Sequence, residues 1–370
     1  MQCIVMRRDR EGFDYPVANQ DICIGCGRCE EVCPVISRRD EKAPMAAYAA
    51  RSEKYLAGSS SGGIFPALAE KTVLSGGTVY GAAFEDDMTV GHTSAADIAG
   101  LEKLRGSKYV QSDLYAVFEE VRDILKEGGK VMFTGTPCQV AGLKNYLGND
   151  TKGLLTVDLA CHGAPSPGLW KDYLAALERR LGGKIEGISF RDKSRGWRKY
   201  GFKVEYIVPD GRKSCVFRQP DDPYVALFLQ DMTLRPSCYE CPVRNGRSGS
   251  DITLADLWSV SDAAPVYDDD RGVSLILVNT PDGREAVDAM SEEGIRLEPV
   301  DPCVAKTRNG GFVSHIARPD NRDVFFKGRH SATDLYAYMK MHVVRKPVYA
   351  VAYETVHTFL SRIKKKMTRR

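Results

Sequence analysis

The sequence predicts an α/β protein with mixed sheets and covering helices, and three observations support this. Strand-like apolar runs alternate with amphipathic helical patterns from residue 78 onward. The clearest passage is a strand at Lys130–Thr134, a helix at Cys138–Leu147 and a strand at Leu154–Leu159, which predicts two neighbouring parallel strands. A cysteine-rich segment precedes this region. We therefore expect a small segment at 1–40, a larger domain at 45–312 and a helical basic extension at 313–370.

The composition excludes several classes of protein. The chain has 370 residues, 43% hydrophobic and 27% charged, as in ordinary globular proteins. The net charge of +3, with both signs interspersed, argues against a nucleic-acid partner. The sequence contains no apolar run long enough for a membrane-spanning helix, and residues 1–15 do not resemble a signal peptide. Eleven cysteines then indicate metal and redox chemistry in a reducing compartment, so we expect a cytoplasmic protein.

Four cysteines near the N-terminus form the most specific motif. They follow the spacing C-x2-C-x2-C-x3-C-P, which is typical of a cubic 4Fe-4S cluster. Zinc is the main alternative, but it favours two separated C-x2-C pairs. The sequence therefore predicts a ferredoxin-like segment whose metal ligands are Cys23, Cys26, Cys29 and Cys33.

The number of clusters in this segment stays open at the level of sequence. In two-cluster ferredoxins the fourth cysteine of each run binds the other cluster, and no second run stands upstream. Residues 1–15, with a strand-like start at Cys3–Met6, read as the connector between two ferredoxin halves. The cluster is closed by Cys33 or by Cys3, or it needs a run that this chain does not contain.

A polar linker is predicted over residues 37–58. Ser59–Gly63 then introduces a helix, and free backbone N–H groups there can hold a phosphate or a flavin edge, or can simply cap the helix. Strands follow at Thr78–Phe84 and Thr89–Ser94. The basic, glycine-containing stretch Arg105–Gln111 can clasp a phosphate or a ring carbonyl, or be an exposed loop, and a helix is expected over Asp113–Glu127.

Two further cysteines end up at one edge of the predicted sheet. Cys138 and Cys161 follow the two parallel strands described above, and ligands usually gather at the carboxyl ends of such strands. Both lie in loops with Gly and Pro, although buried structural thiols are the alternative. Downstream, Cys238 and Cys241 form a C-x2-C pair that suits zinc, a redox dithiol or a cluster. Together the four thiols make a possible second metal site.

The remaining elements complete the prediction. Arg191–Tyr200 is basic and contains Trp197, so it can cover a planar anionic cofactor. Cys3, Cys215 and Cys303 lack partners at ligand spacing and are expected to be structural. Helices are predicted at Ser166–Leu181 and Pro281–Glu292, and strands at Ile185–Phe190, Phe202–Val208, Lys213–Phe217, Asp251–Trp258 and Val273–Asn279.

The chain turns helical again from Thr333 and ends in a basic segment, Arg362–Arg370. Such a tail can contact a membrane surface or an acidic partner. It can equally be a solvated helix end whose cations suit the negative pole of the helix.

Eight ordered motifs between about residues 3 and 310 resemble the beta subunit family of deazaflavin-coenzyme (coenzyme F420) hydrogenase and dehydrogenase. Two departures are the missing first ferredoxin half and the presence of Ala255 and Ser259 where glycine is expected. The motifs are Cys23–Pro34, Ser60–Gly63, Arg105–Gln111, Phe133–Gln139, Cys161–Gly163, Phe190–Trp197, Leu234–Cys238 with Cys241, and Asp251–Trp258.

The resemblance implies a flavin, FAD or alternatively FMN, beside a 4Fe-4S cluster. It implies Cys138, Cys161, Cys238 and Cys241 as ligands of the cluster next to the flavin. The cofactor-binding residues would be Ser60, Ser61, Gly62, Gly63, Arg105, Gly106, Ser107, Lys108, Gln111, Gly135 and Thr136.

The function expected from these features is that of an oxidoreductase subunit. It would pass electrons between clusters and a small-molecule hydride partner through the flavin, and exchange them with a ferredoxin or a partner redox subunit. No catalytic nucleophile is predicted, while His162 or Lys108 could protonate or polarise a group near the flavin. A non-catalytic electron-transfer subunit and a zinc-stabilised binding protein are the alternatives.

Overall fold

The computed structural model describes residues 3–292, 295–303, 309, 312 and 316–344. In this part of the chain the strands are β1 Ile4–Arg8, β2 Asp14–Ala18, β3 Ala46–Ala50, β4 Thr78–Phe84, β5 Val90–Ala95, β6 Val131–Gly135, β7 Leu154–Leu159, β8 Lys184–Asp192, β9 Gly201–Val208, β10 Gly211–Arg218, β11 Ile252–Asp256, β12 Ser274–Val278 and β13 Leu297–Pro299.

The α-helices of the same residues are α1 Arg28–Glu31, α2 Ile64–Leu74, α3 Val117–Lys126, α4 Pro137–Leu147, α5 Pro167–Leu181, α6 Pro223–Leu229, α7 Val260–Ala263, α8 Pro281–Glu292, α9 Arg322–Gly328 and α10 Leu335–His342. Short 3-10 turns lie at Ala99–Leu104, Pro236–Cys238, Pro265–Tyr267 and Arg329–Ser331.

The main sheet has eight strands in the order β13-β3-β12-β11-β7-β6-β4-β5. Its four central strands, β11, β7, β6 and β4, run parallel, whereas every pairing outside them is antiparallel. The predicted α/β class is therefore confirmed, including the parallel neighbours β6 and β7 with α4 between them in sequence.

Helices cover both faces of the parallel part of the sheet. On β6, Met132 packs in the cluster that contains α2 and α8, while Val131 and Phe133 pack in the cluster that contains α3 and α4. Successive side chains of a strand point to opposite faces, so a strand covered on both sides reads as a continuous apolar run. This is why β6 and β7 were recognisable in the sequence.

A second core forms around α5 and the three-stranded antiparallel sheet β10-β9-β8. Trp170 of α5 packs against Phe190 of β8, with ring centroids 5.3 Å apart, and against Tyr224 of α6 at 4.7 Å. The second core also contains Val90 of β5, so it lies beside the main sheet.

The N-terminal hairpin, β1 and β2, is anchored to this second core at its turn. Phe13 is completely buried there, and the fully buried guanidinium of Arg322 pairs with Glu11 at 2.6 Å. Gly12 has a φ of +89°, and its Cα approaches Gly168 so closely that a Cβ would lie 2.6 Å from the Gly168 Cα. The strands themselves are exposed, since all five residues of β1 are accessible.

Three sequence predictions need correction. Residues 37–58 are not a linker throughout, because β3 is a mostly buried strand between β13 and β12. Its run of alanines is small and only weakly apolar, which hid it among polar neighbours. The helix expected over Asp113–Glu127 begins only at Val117, since Tyr115 has a left-handed φ of 43°. The strand expected over Asp251–Trp258 ends at Asp256.

Parts of the predicted C-terminal extension are described as helix, namely α9 and α10. The basic tail at Arg362–Arg370 lies outside the described residues. Among the helices that the structure does describe, none combines the length and the apolar character needed to cross a membrane.

Candidate functional site

A large cavity opens at the carboxyl ends of the central parallel strands. Its volume is about 1370 Å³, and its wall includes the ends of β6, β7 and β11. In open α/β sheets this edge is the usual place for a ligand. The position and the size both identify it as the candidate site.

Two loops that the sequence singled out form one wall of this cavity. The Ser60 hydroxyl accepts hydrogen bonds from the Ser107 N–H at 2.9 Å and from the Ser107 hydroxyl at 3.0 Å, so the two loops are tied together. Lys193 donates to the Leu56 carbonyl, just before the first loop, at 2.7 Å. The predicted cofactor residues that line the cavity are Ser60, Ser61, Gly63, Arg105, Gly106, Ser107, Lys108, Gln111, Gly135 and Thr136.

Gly62 is the predicted cofactor residue that does not line the cavity. Its N–H donates to the Ser274 hydroxyl at 3.0 Å, and a Cβ there would lie 2.5 Å from the Ala50 carbonyl oxygen. Gly62 therefore lets the loop pack closely on β3 and β12. Its contribution in this structure is to the shape of the loop.

Lys108 places an enclosed ammonium in the cavity wall. Its Nζ donates to the carbonyls of Arg105 at 2.8 Å and Lys103 at 3.2 Å. The residue as a whole is half-buried, but burial of the charged end lowers the pKa of Lys108 to about 7. This ammonium can hold an anionic group, and near neutral pH it can also give up a proton.

A buried arginine that was not among the predicted cofactor residues lines another part of the cavity. Arg191 donates to Asp256 at 2.8 Å, and its guanidinium carbon lies 3.9 Å from the ring centroid of Tyr200. Trp197 also donates to Asp256, at 3.0 Å, and stacks on Trp258 with centroids 4.7 Å apart. The stretch Arg191–Tyr200 and the motif Asp251–Trp258 contained these residues, but only the fold shows that they meet.

Two arginines of the cavity wall each carry a buried N–H donor that has no acceptor in the described part of the chain. Within the described residues, the Nε atoms of Arg105 and Arg191 are buried and have no hydrogen-bond partner. Buried donors are normally satisfied, so these two atoms are exceptions, but atoms without accessible surface do not face the cavity itself. The cavity exceeds the ~300–1,000 Å³ of ordinary small-molecule sites. Its size gives room for a large cofactor such as a flavin nucleotide.

The four cysteines from the middle of the chain lie together. Cys138 starts α4, Cys161 follows β7, and Cys238 and Cys241 come from the loop after β10 and α6. All four line the large cavity, and all four also line a smaller cavity of about 40 Å³ that shares this wall. We refer to them as the interior cysteines.

The environment of the interior cysteines disfavours free thiolates. Burial raises the pKa of Cys138, and it raises the pKa of Cys238 to about 11. Burial also raises the pKa of Cys161, where the neighbouring sulfurs add to the effect. Cys138 has accessible surface because it faces the cavity, yet the atoms packed around it still penalise its charge. Without a bound metal these groups are therefore neutral thiols, and a metal would favour their thiolate form.

A soft, four-sulfur donor set suits iron-sulfur or zinc chemistry. Across the described residues, no group of three or more His, Cys, Asp or Glu side chains forms a ready-made site for a single metal ion. We therefore describe the interior cysteines as the lining of one cavity and not as a formed ligand set.

His162 lies beside the interior cysteines in the same wall. Its Nε2 is 2.7 Å from the Asp231 carboxylate, which makes an ion pair if the imidazole is protonated. Among the described residues neither atom has a hydrogen-bond partner, because the angles of this contact do not meet those of a hydrogen bond. The contact is therefore electrostatic. The ring also meets Phe228 edge-on, with centroids 4.9 Å apart.

The N-terminal cysteines lie outside both cavities, in a surface loop. Cys23, Cys26 and Cys29 are exposed and Cys33 is half-buried. Gly25 and Gly27 have φ values of 66° and 71°, as the tight turns of the motif require. The backbone carbonyl of Cys3 accepts a hydrogen bond from the Asn19 N–H. The Asn19 carbonyl in turn accepts from the Cys23 N–H at 3.1 Å. The structure thus leaves Cys3 close in space to this loop.

One helix contains an interior cysteine and also contacts the N-terminal loop. Cys138 lies in the first turn of α4, and Asn145 in its last turn donates to the Val32 carbonyl at 3.4 Å. Asn145 also accepts from Arg39 at 2.8 Å. Since Val32 precedes Cys33, α4 links the N-terminal loop to the cavity wall.

Two family models match this chain. Residues 128–302 match the model for the C terminus of the "Coenzyme F420 hydrogenase/dehydrogenase, beta subunit", and residues 14–35 match a 4Fe-4S binding domain. Among solved structures, a chain of the F420-reducing [NiFe] hydrogenase complex from Methanosarcina barkeri aligns with a TM-score of 0.49 and 17% identity, covering 79% of this chain and 95% of that one. A search of curated protein sequences found no match.

Proposed function

We propose that the chain is an iron-sulfur flavoprotein oxidoreductase subunit, because residues 128–302 match the model for the C terminus of the coenzyme F420 hydrogenase/dehydrogenase beta subunit and residues 14–35 match a 4Fe-4S binding domain. It passes electrons between 4Fe-4S clusters and a small-molecule hydride partner through FAD. The clusters exchange their electrons with a ferredoxin or a partner redox subunit. The reducing conditions that such clusters need favour a cytoplasmic location.

One observation carries the proposal. The interior cysteines share a cavity wall with the two loops that the sequence analysis assigned to a flavin. A group held by the cysteines and a group held by the loops would therefore be neighbours, with no protein layer between them. A bound flavin supplies the exchange between one hydride and two single electrons.

The residues of the chain have distinct tasks in this proposal. The Ser60–Ser107 pair and the Arg105 guanidinium bind phosphate or ring oxygens of the flavin. The Lys108 ammonium holds an anionic oxygen or delivers a proton to it. The apolar part of the wall, which includes Phe228 and Trp170, excludes water from the reacting atoms.

The α4 contact supports an electron path to the surface. Cys33 follows the carbonyl that Asn145 holds, and Cys138 starts the same helix. We propose residues 1–40 as the segment that receives or delivers single electrons, residues 45–312 as the flavin-binding domain and residues 313–370 as an extension. The described part of this extension packs against the rest through Arg322.

The proposal is tested by anaerobic purification of the full chain, followed by measurement of iron, acid-labile sulfide, zinc and flavin. We expect a yellow-brown protein with flavin absorbance and iron in multiples of about four per chain. Brown protein that binds no flavin would instead select a non-catalytic electron-transfer role. Protein that is colourless and contains zinc would select a zinc-stabilised binding protein.

The hydride partner is then identified by anaerobic flavin bleaching. Reduced deazaflavin, NADH, NADPH and reduced ferredoxin are each added to the purified protein, and loss of flavin absorbance is followed. A hydride donor that bleaches the flavin identifies the substrate class. Bleaching by reduced ferredoxin alone would contradict the proposed hydride chemistry.

A further inference from the structure

Two buried side chains of opposite charge line the smaller cavity together with the interior cysteines. They are Asp158, at the end of β7, and Arg244, in the loop after Cys241. Asp158 is 2% exposed and Arg244 is 6% exposed. Charges are rarely buried this deeply without a specific role, because desolvation is costly.

Asp158 is held by hydroxyl groups, and no cation of the described residues is in hydrogen-bond contact with it. Its Oδ2 accepts from the Ser248 hydroxyl at 2.6 Å. Within the described residues, its Oδ1 is buried without a hydrogen-bond partner. Burial raises the pKa of Asp158 to about 6, while Ser248, Thr253, Ser250 and the more distant Lys144 oppose that rise. Above neutral pH the carboxylate therefore carries its charge at the cavity wall.

Arg244 lies on the backbone that carries the interior cysteines. Its Nη1 is 3.3 Å from the Cys161 carbonyl and its Nη2 is 3.3 Å from the His162 carbonyl. Arg244 also lines the smaller cavity together with all four interior cysteines. A group held by these sulfurs would therefore lie close to a buried cation.

We propose that Arg244 raises, and Asp158 lowers, the reduction potential of a cluster held by Cys138, Cys161, Cys238 and Cys241. Reduction adds one electron to the cluster, and an electron added in a buried cavity is stabilised by a near cation and opposed by a near anion. Nearby charge is one of the main factors that set the potential of such clusters. This inference rests on the proposed function, because it requires a cluster at the interior cysteines.

The test is a redox titration of the purified holoprotein at pH 8, where Asp158 is ionised, followed by electron paramagnetic resonance of the reduced cluster. We expect Arg244→Gln to lower the midpoint potential and Asp158→Asn to raise it. Each shift should change the ratio of reduced to oxidised cluster at a fixed potential by tenfold or more, which is about 59 mV for a one-electron couple. Arg244→Lys retains the charge and should keep most of the wild-type potential.

Arg212→Gln is the matched control, since Arg212 pairs with Glu186 on an exposed strand of the second core and should leave the potential unchanged. Shifts in the same direction for both cavity variants, or no shift in either, would overturn the inference. If Arg244→Gln loses its iron, Asp158→Asn decides alone, and an unmoved or lowered potential contradicts the inference. Wild-type protein without iron would instead refute the proposed function itself.

Discussion

The N-terminal cysteines and the interior cysteines, which we propose as two sets of ligands, come from the chain in different ways. The first four come from one short stretch, and Cys23, Cys26 and Cys29 are exposed. The other four come from three distant stretches and meet only because β6, β7 and the loop before β11 end at one edge of the sheet. The first set is local and the second depends on the whole fold.

The two sets of cysteines should also differ in the function that each of them supports. The interior cysteines share a wall with the large cavity, whereas the N-terminal cysteines reach it only through the neighbouring Pro34 and Val35 and through α4. The interior set is therefore expected to govern the chemistry of the cavity. The N-terminal set is expected to govern only the exchange of electrons with a partner.

The largest predicted effect separates the two sets directly. Replacing Cys138 or Cys241 by Ser should remove the interior cluster and stop hydride-driven reduction of an acceptor dye. Cys26→Ser should lower the iron content by one cluster but leave flavin bleaching by the hydride donor intact. Iron content and anaerobic dye reduction measure both outcomes. Unchanged iron and dye reduction in the Cys138 and Cys241 variants would defeat the ligand assignment.

A smaller effect is expected at the turn that anchors the N-terminal hairpin. Gly12→Ala adds a Cβ 2.6 Å from the Gly168 Cα at a φ of +89°, so we expect a loss of roughly 2–3 kcal/mol of unfolding free energy. Gly128→Ala is the control, because its φ is +79° but no atom lies within 4 Å, and it should cost only about 1 kcal/mol. Urea denaturation measures both. Equal losses would show that the close contact with α5 does not fix the hairpin.

The smallest predicted effect is a pH dependence confined to the large cavity. The pKa of Lys108 is lowered to about 7 by burial, so its ammonium is charged below pH 7 and neutral above. If it holds an anionic oxygen of the flavin, the dissociation constant of flavin should rise severalfold between pH 6 and pH 8. Lys108→Arg stays charged and should remove this dependence while keeping tight binding.

Fluorescence titration with FAD measures the Lys108 effect, and two further variants complete the comparison. Lys108→Met should bind weakly at both pH values. Lys103→Met should behave as wild type, because the exposed Lys103 side chain lies outside the cavity wall. A wild-type pH profile that persists in Lys108→Met would assign the titration to another group.

The sequence predicted those features that depend on local pattern. β4 and α8 have the predicted bounds, because alternation and helical spacing are written in consecutive residues. The interior location of Cys138 and Cys161 was also predictable, since two parallel strands bring their ends together. The capping box that Thr136 and Gln139 form at the start of α4 was not predicted.

Features that depend on distant partners could not be predicted in the same way. Ala46–Ala50 reads as a linker because alanine has no strong strand preference, and only its pairing with β12 and β13 makes it a buried strand. Arg191 and Asp256 belong to different sheets, so their ion pair appears only in the fold. Asp158 and Arg244 likewise carry no motif. Their proximity to the interior cysteines follows from topology alone.

The helix that joins the two sets of cysteines has a consequence for the rate of electron exchange. Cys138 and Asn145 are seven residues apart, which is about 10 Å along a helix axis at ~1.5 Å per residue. An α-helix is stiff, so movement of the N-terminal loop does not change this interval. In the electron path that we propose, α4 therefore sets part of the distance between the two sets of cysteines, and inserting or deleting one turn would change that part by about 5.4 Å.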